Sequence, residues 1–192
     1  MEFTVGSTLP ERRRFAVFSL GRIPLAVQLG YVLGDRTRAT LYQYDRERSS
    51  WSWRPGAEAA GVVTWSAADC EEGPRDEAAI RVSLSAEARP EPKLRYGLEV
   101  DIRVPAPSVA WLRAPEQLSE LTRVYGEALA ATRARSCRRI HLYYAGPAPG
   151  AVAFGRAYNP RMNPELVVYE YRRGRSPSYE RALVLNAERE RH

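Results

Sequence analysis

Two short loops rich in glycine and proline are the residues best suited to chemistry in this sequence. One is Gly21-Arg22-Ile23-Pro24 and the other is Gly146-Pro147-Ala148-Pro149, and each follows an apolar run and precedes a segment with helical spacing. A helix N-terminus offers unpaired N–H donors and about half a positive charge, and glycine lets an anion approach those donors closely. The sequence therefore predicts phosphate binding at both loops.

Neither loop carries a common nucleotide-binding fingerprint. The pattern G-x-G-x-x-G is absent from both, and the chain has no Gly-Lys-Ser/Thr of a P-loop, which disfavours the usual modes of NAD and ATP binding. The alternative, that glycine and proline only tighten two turns so that helices pack closely on strands, stays open at this point.

Side chains near the loops would have to supply most of the binding energy. A helix end contributes about 0.3–2 kcal/mol, whereas nanomolar affinity needs about 12 kcal/mol. Tyr44 and Tyr171 end predicted strands at the same edge and could stack on bases, as could three tryptophans whose positions are not fixed: Trp51, Trp53 and Trp65. Arginines that follow strands or helices are the candidate phosphate contacts: Arg22, Arg36, Arg38, Arg156 and Arg161.

Groups for catalysis and for metal binding are scarce. Apart from the terminal His192, His141 is the only histidine, and it lies in an apolar run with no nucleophile beside it. The cysteines Cys70 and Cys137 are far apart and have no partner at zinc-ligand spacing. We therefore expect no catalytic residue and no metal site.

The two loops lie in segments that resemble each other. With an offset of 125 residues, residues 15–30 and 140–155 share five of sixteen positions, among them Gly21 with Gly146. Each segment has an apolar run, a loop, a helical pattern and a second run, and each is preceded by arginines. We interpret this as an internal duplication, which would bring the two loops close to a pseudo-twofold axis. Chance similarity between two glycine-rich loops is the alternative.

Strands and helices predicted from residue spacing hold these loops. The apolar run at 15–20 predicts a strand buried on both faces, followed by a helix to residue 33 and a strand at 39–44. Alternating apolar residues predict strands at 80–84 and 94–104, and the spacing at 115–132 predicts a helix that leads into the second copy. The fold class is therefore α/β.

Composition bounds the class of protein. The chain has 192 residues, enough for one domain or two closely packed halves. Its 29 basic residues exceed 23 acidic ones, and Lys93 is the only lysine, which favours an anionic partner only mildly because a coding bias toward arginine explains it as well. No apolar run is long enough to span a membrane, and two cysteines without a secretion signal indicate a soluble, cytoplasmic protein.

A longer stretch of the second copy resembles a known family. The segment IHLYYAGPAPGAVAFGRAYNP followed by LVVYEY, within residues 140–171, resembles the C-terminal motif of the SAVED domain, the ligand sensor of bacterial anti-phage effectors. The strand AAIRVSLS and the helix from Pro115 are similar in order, so the resemblance spans most of the chain. It implies two fused Rossmann-like, CARF-like halves related by pseudo-twofold symmetry, in a single domain of residues 1–192 with halves of about 12–90 and 91–192.

The resemblance also implies a function. SAVED domains bind cyclic oligonucleotides, made in CBASS or type III CRISPR systems, and signal by oligomerisation or by assembly with or release of a partner. The ligand-binding positions implied here are Gly21 and Arg22 in the first half, Ser83 and Ser85 after the middle strand, and in the second half Gly146, Pro147, Ala148, Arg156 and Tyr158. No protein-bound cofactor and no long nucleic acid is implied.

The sequence departs from the family in one respect. Family members usually carry a nuclease, TIR, protease or membrane effector on the same chain, and nothing in this sequence fits one. We therefore expect an effector domain or subunit outside this chain. Two alternatives remain open, namely a ring nuclease that cleaves the cyclic oligonucleotide and a protein-interaction module without a small ligand.

Overall fold

The computed structural model describes residues 14–53, 62–91 and 93–186, which form eight strands and three helices. In chain order these are β1 (Arg14–Phe18), α1 (Ile23–Leu33), β2 (Arg38–Tyr42), β3 (Thr64–Asp69), β4 (Glu77–Ser83), β5 (Leu98–Arg103), α2 (Pro115–Ala134), β6 (Arg139–Ala145), α3 (Ala148–Ala157), β7 (Glu165–Tyr171) and β8 (Tyr179–Leu185). The protein is therefore a mixed α/β fold, as the sequence predicts.

The strands form two sheets. Strands β1 and β2 pair with each other in parallel, and the crossover helix α1 connects them. The other six follow the order β3-β5-β4-β6-β7-β8, in which the four central strands are parallel and the two outer strands antiparallel. Parallel neighbours end at the same edge of a sheet, so the loops after β4 and β6 converge, as do the loops after β1 and β2.

Helices α1 and α3 touch through their backbones. A Cβ atom on Gly30 would lie 2.0 Å from the carbonyl oxygen of Val152, and one on Gly155 would lie 2.1 Å from the carbonyl oxygen of Val27. Neither position has room for a side chain. This close contact fixes the position of one helix relative to the other, and with it the position of the loops that precede them.

Helix α2 lies beside α3 and over β3 and β5. Its buried face includes Leu121, Val124 and Tyr125, which pack into the main core with the apolar residues of the central strands. Pro115 begins the helix, at a position where an N–H group would have no intrahelical partner, so proline costs no hydrogen bond there. The predicted helix at 115–132 is thus confirmed.

The structure corrects the predicted strands in three places. The strand at 15–20 is not buried on both faces, because Phe15 and Val17 pack against the core on one face, whereas Phe18 on the other face is 52% exposed. The strand at 94–104 begins only at Leu98, and Leu94 is exposed. Strands β3 and β8 have no counterpart in the prediction. Apart from Trp65, β3 (TWSAAD) has only small or polar residues, and most of them are exposed.

The sheets do not divide near residue 90. Strands β3 and β4 fall within the predicted first half, yet they pair with β5 and β6 of the predicted second half. The division between the sheets lies after β2.

Candidate ligand cavity

The two glycine and proline loops open into one cavity of about 500 Å³. Gly21 and Ile23 contribute to its wall from the loop after β1, and Gly146, Pro147 and Ala148 contribute from the loop after β6. Other described residues of the wall come from the segments after β2 and β4 and from the segment before α2. This space, hereafter the glycine-loop cavity, lies where the carboxyl ends of strands from both sheets meet.

Neither helix that begins at the cavity has a side-chain cap. The residue before α1 is Arg22 and the residue before α3 is Pro147, and neither makes a capping hydrogen bond. A helix normally satisfies its first N–H groups with Ser, Thr, Asp or Asn at this position. Ile23 and Ala148, the first residues of the two helices, line the cavity, so both uncapped helix N-termini lie at its wall.

The ring of Tyr144 supports the second loop. Its hydroxyl donates to the carbonyl oxygen of Pro147 at 2.9 Å, and a Cβ atom on Gly146 or Gly150 would come within 2.9 Å and 2.3 Å of the phenol group. Burial raises the pKa of Tyr144 well above its usual value, so the hydroxyl keeps its proton. Glycine at these two positions therefore lets the start of α3 lie directly on this ring.

Aromatic side chains line another wall of the cavity. Tyr44 and Trp53 face it, and Trp51 packs behind Tyr44 with ring centroids 5.2 Å apart. Trp65 is elsewhere, where its indole N–H donates to Glu127 at 2.7 Å. Two of the three tryptophans named from the sequence are thus beside the cavity, although no spacing rule identified which.

Charged side chains of both signs line the cavity. Among the residues that the structure describes, Arg46 and Arg113 are the arginines in its wall, and Asp45 and Glu47 are the carboxylates. The Asp45 carboxylate accepts the backbone N–H groups of Glu47 and Arg48 and so holds the turn that carries Arg46. Sequence reasoning missed Arg46 and Arg113, because the first lies in a turn after β2 and the second lies before a helix.

A buried glutamine holds the segment that carries Arg113. The Gln117 side chain accepts the backbone N–H of Arg113 at 2.8 Å and donates to the carbonyl oxygen of Trp111 at 2.9 Å. The Arg113 guanidinium itself donates to the carbonyl oxygen of Ala110 at 2.7 Å and is exposed. Arg113 is therefore presented at the cavity by a fixed backbone.

Several residues named from the sequence share this cavity. Those in its wall are Gly21, Tyr44, Ser85, Gly146, Pro147 and Ala148. Arg22 is exposed and lies between two wall residues, Gly21 and Ile23, without being part of the wall. The backbone N–H of Ser85 donates to the carbonyl oxygen of Ala145 at 2.8 Å, which ties the loop after β4 to the end of β6.

Arg156 and Tyr158 lie at the other end of α3. The Arg156 guanidinium donates to three carbonyl oxygens, those of Gly34, Thr37 and Ala39. Partial burial lowers its pKa. The Tyr158 hydroxyl donates to the carbonyl oxygen of Pro164 at 2.6 Å. Because α3 is about 15 Å long, both side chains are remote from the cavity and hold the fold together.

Ser83 and Tyr171 are also outside the cavity wall. The Ser83 hydroxyl oxygen accepts the backbone N–H of Ala88 at 3.0 Å and lines a separate space. Tyr171 ends β7 and is 54% exposed, with its ring against Tyr179. Strand alternation explains Ser83, because it points to the opposite face from Val82, which faces the helices.

His141 has hydrogen-bond partners, as a structural histidine should. Its two ring nitrogens lie 2.9 Å from the Tyr169 hydroxyl and 3.2 Å from a Glu77 carboxylate oxygen. Burial lowers its pKa, although Glu77 opposes the effect. The histidine is on β6, away from the cavity wall.

Residues 14–53, 62–91 and 93–186 contain neither a metal cluster nor a membrane-spanning helix. No group of three or more His, Cys, Asp or Glu residues in these ranges is arranged to hold a metal ion. In the same part of the chain, no helix is both long and apolar enough to cross a membrane.

Comparison with known proteins gives one family. The family model described as "SMODS-associated and fused to various effectors sensor domain", SAVED, matches residues 5–185. No curated protein sequence is significantly similar to the chain.

Solved structures with a similar fold include Cap4 SAVED/CARF-domain receptors. The Acinetobacter baumannii receptor is 18% identical with a TM-score of 0.65, and the match covers 92% of this chain and 37% of that one. The same receptor with the cyclic trinucleotide 2'3'3'-cAAA is 17% identical, with a TM-score of 0.67 and coverage of 92% and 39%. The Moraxella osloensis receptor is 17% identical, with a TM-score of 0.58 and coverage of 91% and 37%. The chain thus spans less than two fifths of the length of these receptors.

Proposed function

The chain belongs to the SAVED family, and on that premise we propose that it is a sensor that binds one cyclic oligonucleotide in the glycine-loop cavity. The observation that carries the proposal is that both glycine and proline loops, 125 residues apart in sequence, line the same cavity. Two uncapped helix N-termini that face one space suit a guest with more than one phosphate. A cyclic oligonucleotide has this property, and a cyclic trinucleotide is the ligand named for a receptor of similar fold.

The two halves are related by pseudo-twofold symmetry in this proposal. Strands β1 and β6 begin 125 residues apart, at Arg14 and Arg139, and helices α1 and α3 begin at the same offset. The glycine contacts between the helices are reciprocal, since the Val27–Gly155 contact and the Val152–Gly30 contact exchange under that offset. The sheets around them differ in size, so the symmetry is local to the strand, loop and helix at each side of the cavity.

Each part of the cavity has a distinct role in binding. The N–H groups at the starts of α1 and α3, together with Arg22, Arg46 and Arg113, bind phosphates, and charge-assisted hydrogen bonds of this kind contribute about 1.5–3 kcal/mol each. Tyr44 and Trp53 stack on bases, for about 1–3 kcal/mol each. These contacts supply the energy that helix ends alone do not.

Binding serves signalling in anti-phage defence, in a CBASS or type III CRISPR setting in the cytoplasm. The ligand contacts both loops at once. The resulting change in the position of the loops promotes oligomerisation or assembly with an effector domain or subunit outside residues 1–192. Cleavage of the ring is not part of the proposal.

Calorimetric titration of a panel of cyclic di-, tri- and tetranucleotides, including 3'3'3'-cAAA, tests the proposal. Replacing Arg113→Ala should raise Kd at least about tenfold, the equivalent of one charge-assisted hydrogen bond. The matched control is Arg138→Ala, which removes the same charge from an exposed arginine before β6, at the opposite edge of the sheet. It should leave Kd within about twofold.

Two outcomes would contradict the proposal. One is that no cyclic oligonucleotide in the panel binds, and the other is that the Arg113 and Arg138 variants lose affinity equally. Chromatography of the recovered nucleotide completes the test, because a linear product that accumulates with time would assign the chain to the ring nucleases.

A further inference from the structure

Within the described ranges, strand β1 has a strand neighbour on one side only. It pairs with β2, and the two form a sheet of two strands. The strand that corresponds to β1 at the offset of 125 residues is β6, which pairs in parallel with β4 on one side and with β7 on the other. Two strands alone are marginally stable in water. The side of β1 that corresponds to the β4 side of β6, hereafter the outer edge of β1, is therefore suited to a further strand.

The charges at the start of β1 lack the balance that they have in the second half. Arg139, at the start of β6, lies between Glu77 of β4 and Glu165 of β7 and forms an ion pair with each. The corresponding arginine in the first half is Arg14, and its partner on β2 is Arg38. Both are exposed, and neither forms an ion pair with another described residue. Like charges directly opposite each other destabilise a sheet, so a carboxylate at the outer edge of β1 would stabilise this end.

An aromatic pair at the other end of β1 is exposed, although the corresponding pair is buried. Phe18 stacks on Tyr42 with ring centroids 4.8 Å apart, and in the second half Tyr143 stacks on Tyr169 with centroids 4.6 Å apart. Tyr143 is fully buried, because two further tyrosine rings contact it. Phe18 is 52% exposed even with the ring of Trp51 beside it. The first half therefore has less cover at the same place in the fold.

The charges disfavour a second copy of the chain as the source of the strand. The described strands at the ends of the two sheets begin with Arg14, Arg38, Thr64 and Tyr179, and none of these four begins with a carboxylate. The net charge of +6 also opposes contact between copies at an end that carries two arginines. An occupant in the register of β4 is therefore a different polypeptide, whose strand begins with Asp or Glu.

We propose that the outer edge of β1 docks one strand of the effector domain or subunit, parallel to β1 and with an acidic residue beside Arg14. Main-chain hydrogen bonds supply the affinity of such strand addition, and side chains supply its specificity. The receptors of similar fold have more than half of their length outside the part that resembles this chain. In naming the effector as the source of the strand, the inference rests on the proposed function, whereas the pairing itself needs no ligand.

A tethered strand tests the pairing. A copy of the β4 sequence EAAIRVS is added before residue 1 through a Gly/Ser linker of about 20 residues, which exceeds the dozen or so that a parallel connection needs. The tether gives an effective concentration in the millimolar range. Amide hydrogen exchange followed by NMR then reports on the β1 amides that do not donate to β2. Their exchange should be at least about threefold slower than in the chain without the added copy.

Reversal of charge tests the contact with Arg14. Glu77→Arg in the added copy should abolish the slowing, because it sets a third arginine beside Arg14 and Arg38. Arg14→Glu in the chain should then restore it. The matched control is Arg173→Glu, which changes the net charge equally at an exposed position between β7 and β8 and should not restore the slowing. Slowing that is insensitive to these changes overturns the inference.

Nitroxide labels test the direction of the docked strand. They are attached to a cysteine at either end of the added copy, in a Cys70→Ser background that leaves the buried Cys137 as the only native thiol. A label at the start of the copy should broaden the amide signal of Arg14, and a label at its end should broaden that of Phe18. The reverse pattern, or broadening at β3 or β8 instead, overturns the inference.

Calorimetry with 3'3'3'-cAAA on the chain without the added copy separates this inference from the proposed function. Ligand binding together with unchanged exchange in β1 overturns the inference alone. Absence of ligand binding overturns the proposed function, and the tethered strand then still decides whether the outer edge of β1 accepts a strand. Slow exchange of the same amides in the chain without the added copy would show that the chain covers this edge itself, and it also overturns the inference.

Discussion

The contact between α1 and α3 predicts a large effect of adding one methyl group. In Gly30→Ala the new Cβ would lie 2.0 Å from the carbonyl oxygen of Val152, and in Gly155→Ala it would lie 2.1 Å from that of Val27. Each obstacle is backbone and cannot rotate away, so the helices must separate by about 1 Å. Overpacking of this kind costs about 1–3 kcal/mol, and we expect the upper end of that range.

Thermal unfolding followed by circular dichroism measures this cost. A change of 1 kcal/mol shifts the melting temperature of a chain of this size by about 2–4 °C, so Gly30→Ala and Gly155→Ala should each lower it by about 6–12 °C. The control is Gly126→Ala in α2, where nothing lies within 4 Å of the added Cβ. Alanine should there stabilise the helix by about 0.5–1 kcal/mol.

The double variant makes the test stricter. One separation of the helices accommodates part of both methyl groups, so Gly30→Ala with Gly155→Ala should cost less than the sum of the single changes. The ligand affinity should also fall in every variant that separates the helices, because the loops before α1 and α3 move apart. Unchanged melting temperatures for both single variants, or strict additivity in the double one, would refute this account of the contact.

Four further outcomes follow from the structure. Arg156→Ala should lower the free energy of unfolding by about 2 kcal/mol or more, because three carbonyl oxygens lose a charged donor. Calorimetry on the folded variant should give a Kd for 3'3'3'-cAAA within about threefold of wild type. Tyr144→Phe should cost about 1 kcal/mol in urea unfolding, because the Pro147 carbonyl loses the hydroxyl donor, and should also weaken ligand binding. Burial raises the pKa of Tyr96 to about 12 from 10.0. Its contribution to stability is therefore complete below pH 10 and is lost as the pH rises toward 12. In Tyr96→Phe, the free energy of unfolding should fall less steeply with pH over this alkaline range. Burial lowers the pKa of His141 below 6.5. Its contribution to stability is therefore present above pH 6.5 and is lost as the pH falls below that value. In His141→Gln, the free energy of unfolding should depend less on pH in this acid range.

The sequence was sufficient for the parts of the fold that carry a regular local pattern. The offset of 125 residues predicted that Gly21 and Gly146 occupy equivalent loops, and the structure has both in the wall of one cavity. Apolar spacing predicted β4 and α2 because their buried residues recur at regular intervals. These features depend on local patterns, which a sequence displays directly.

The remaining parts depend on contacts between distant residues. Arg156 follows the second loop closely in sequence, but it lies in the last turn of α3, at the end of the helix remote from that loop, where it donates to the carbonyl oxygen of Thr37 between α1 and β2. Arg113 precedes α2 and lies in the cavity wall, where the Gln117 side chain, four residues further on, accepts its backbone N–H. Strand β3 is mostly exposed and lies at a sheet edge, so it carries little of the apolar alternation that marks a strand.

The most direct test of the joint cavity is an NMR titration with 3'3'3'-cAAA that follows the backbone amide signals of Gly21 and Gly146. Both signals should shift with the same saturation curve, because a single ligand contacts the loops after β1 and β6 together. Movement of only one of them, or of neither while other amides respond to the ligand, would show that the two loops do not bind one guest.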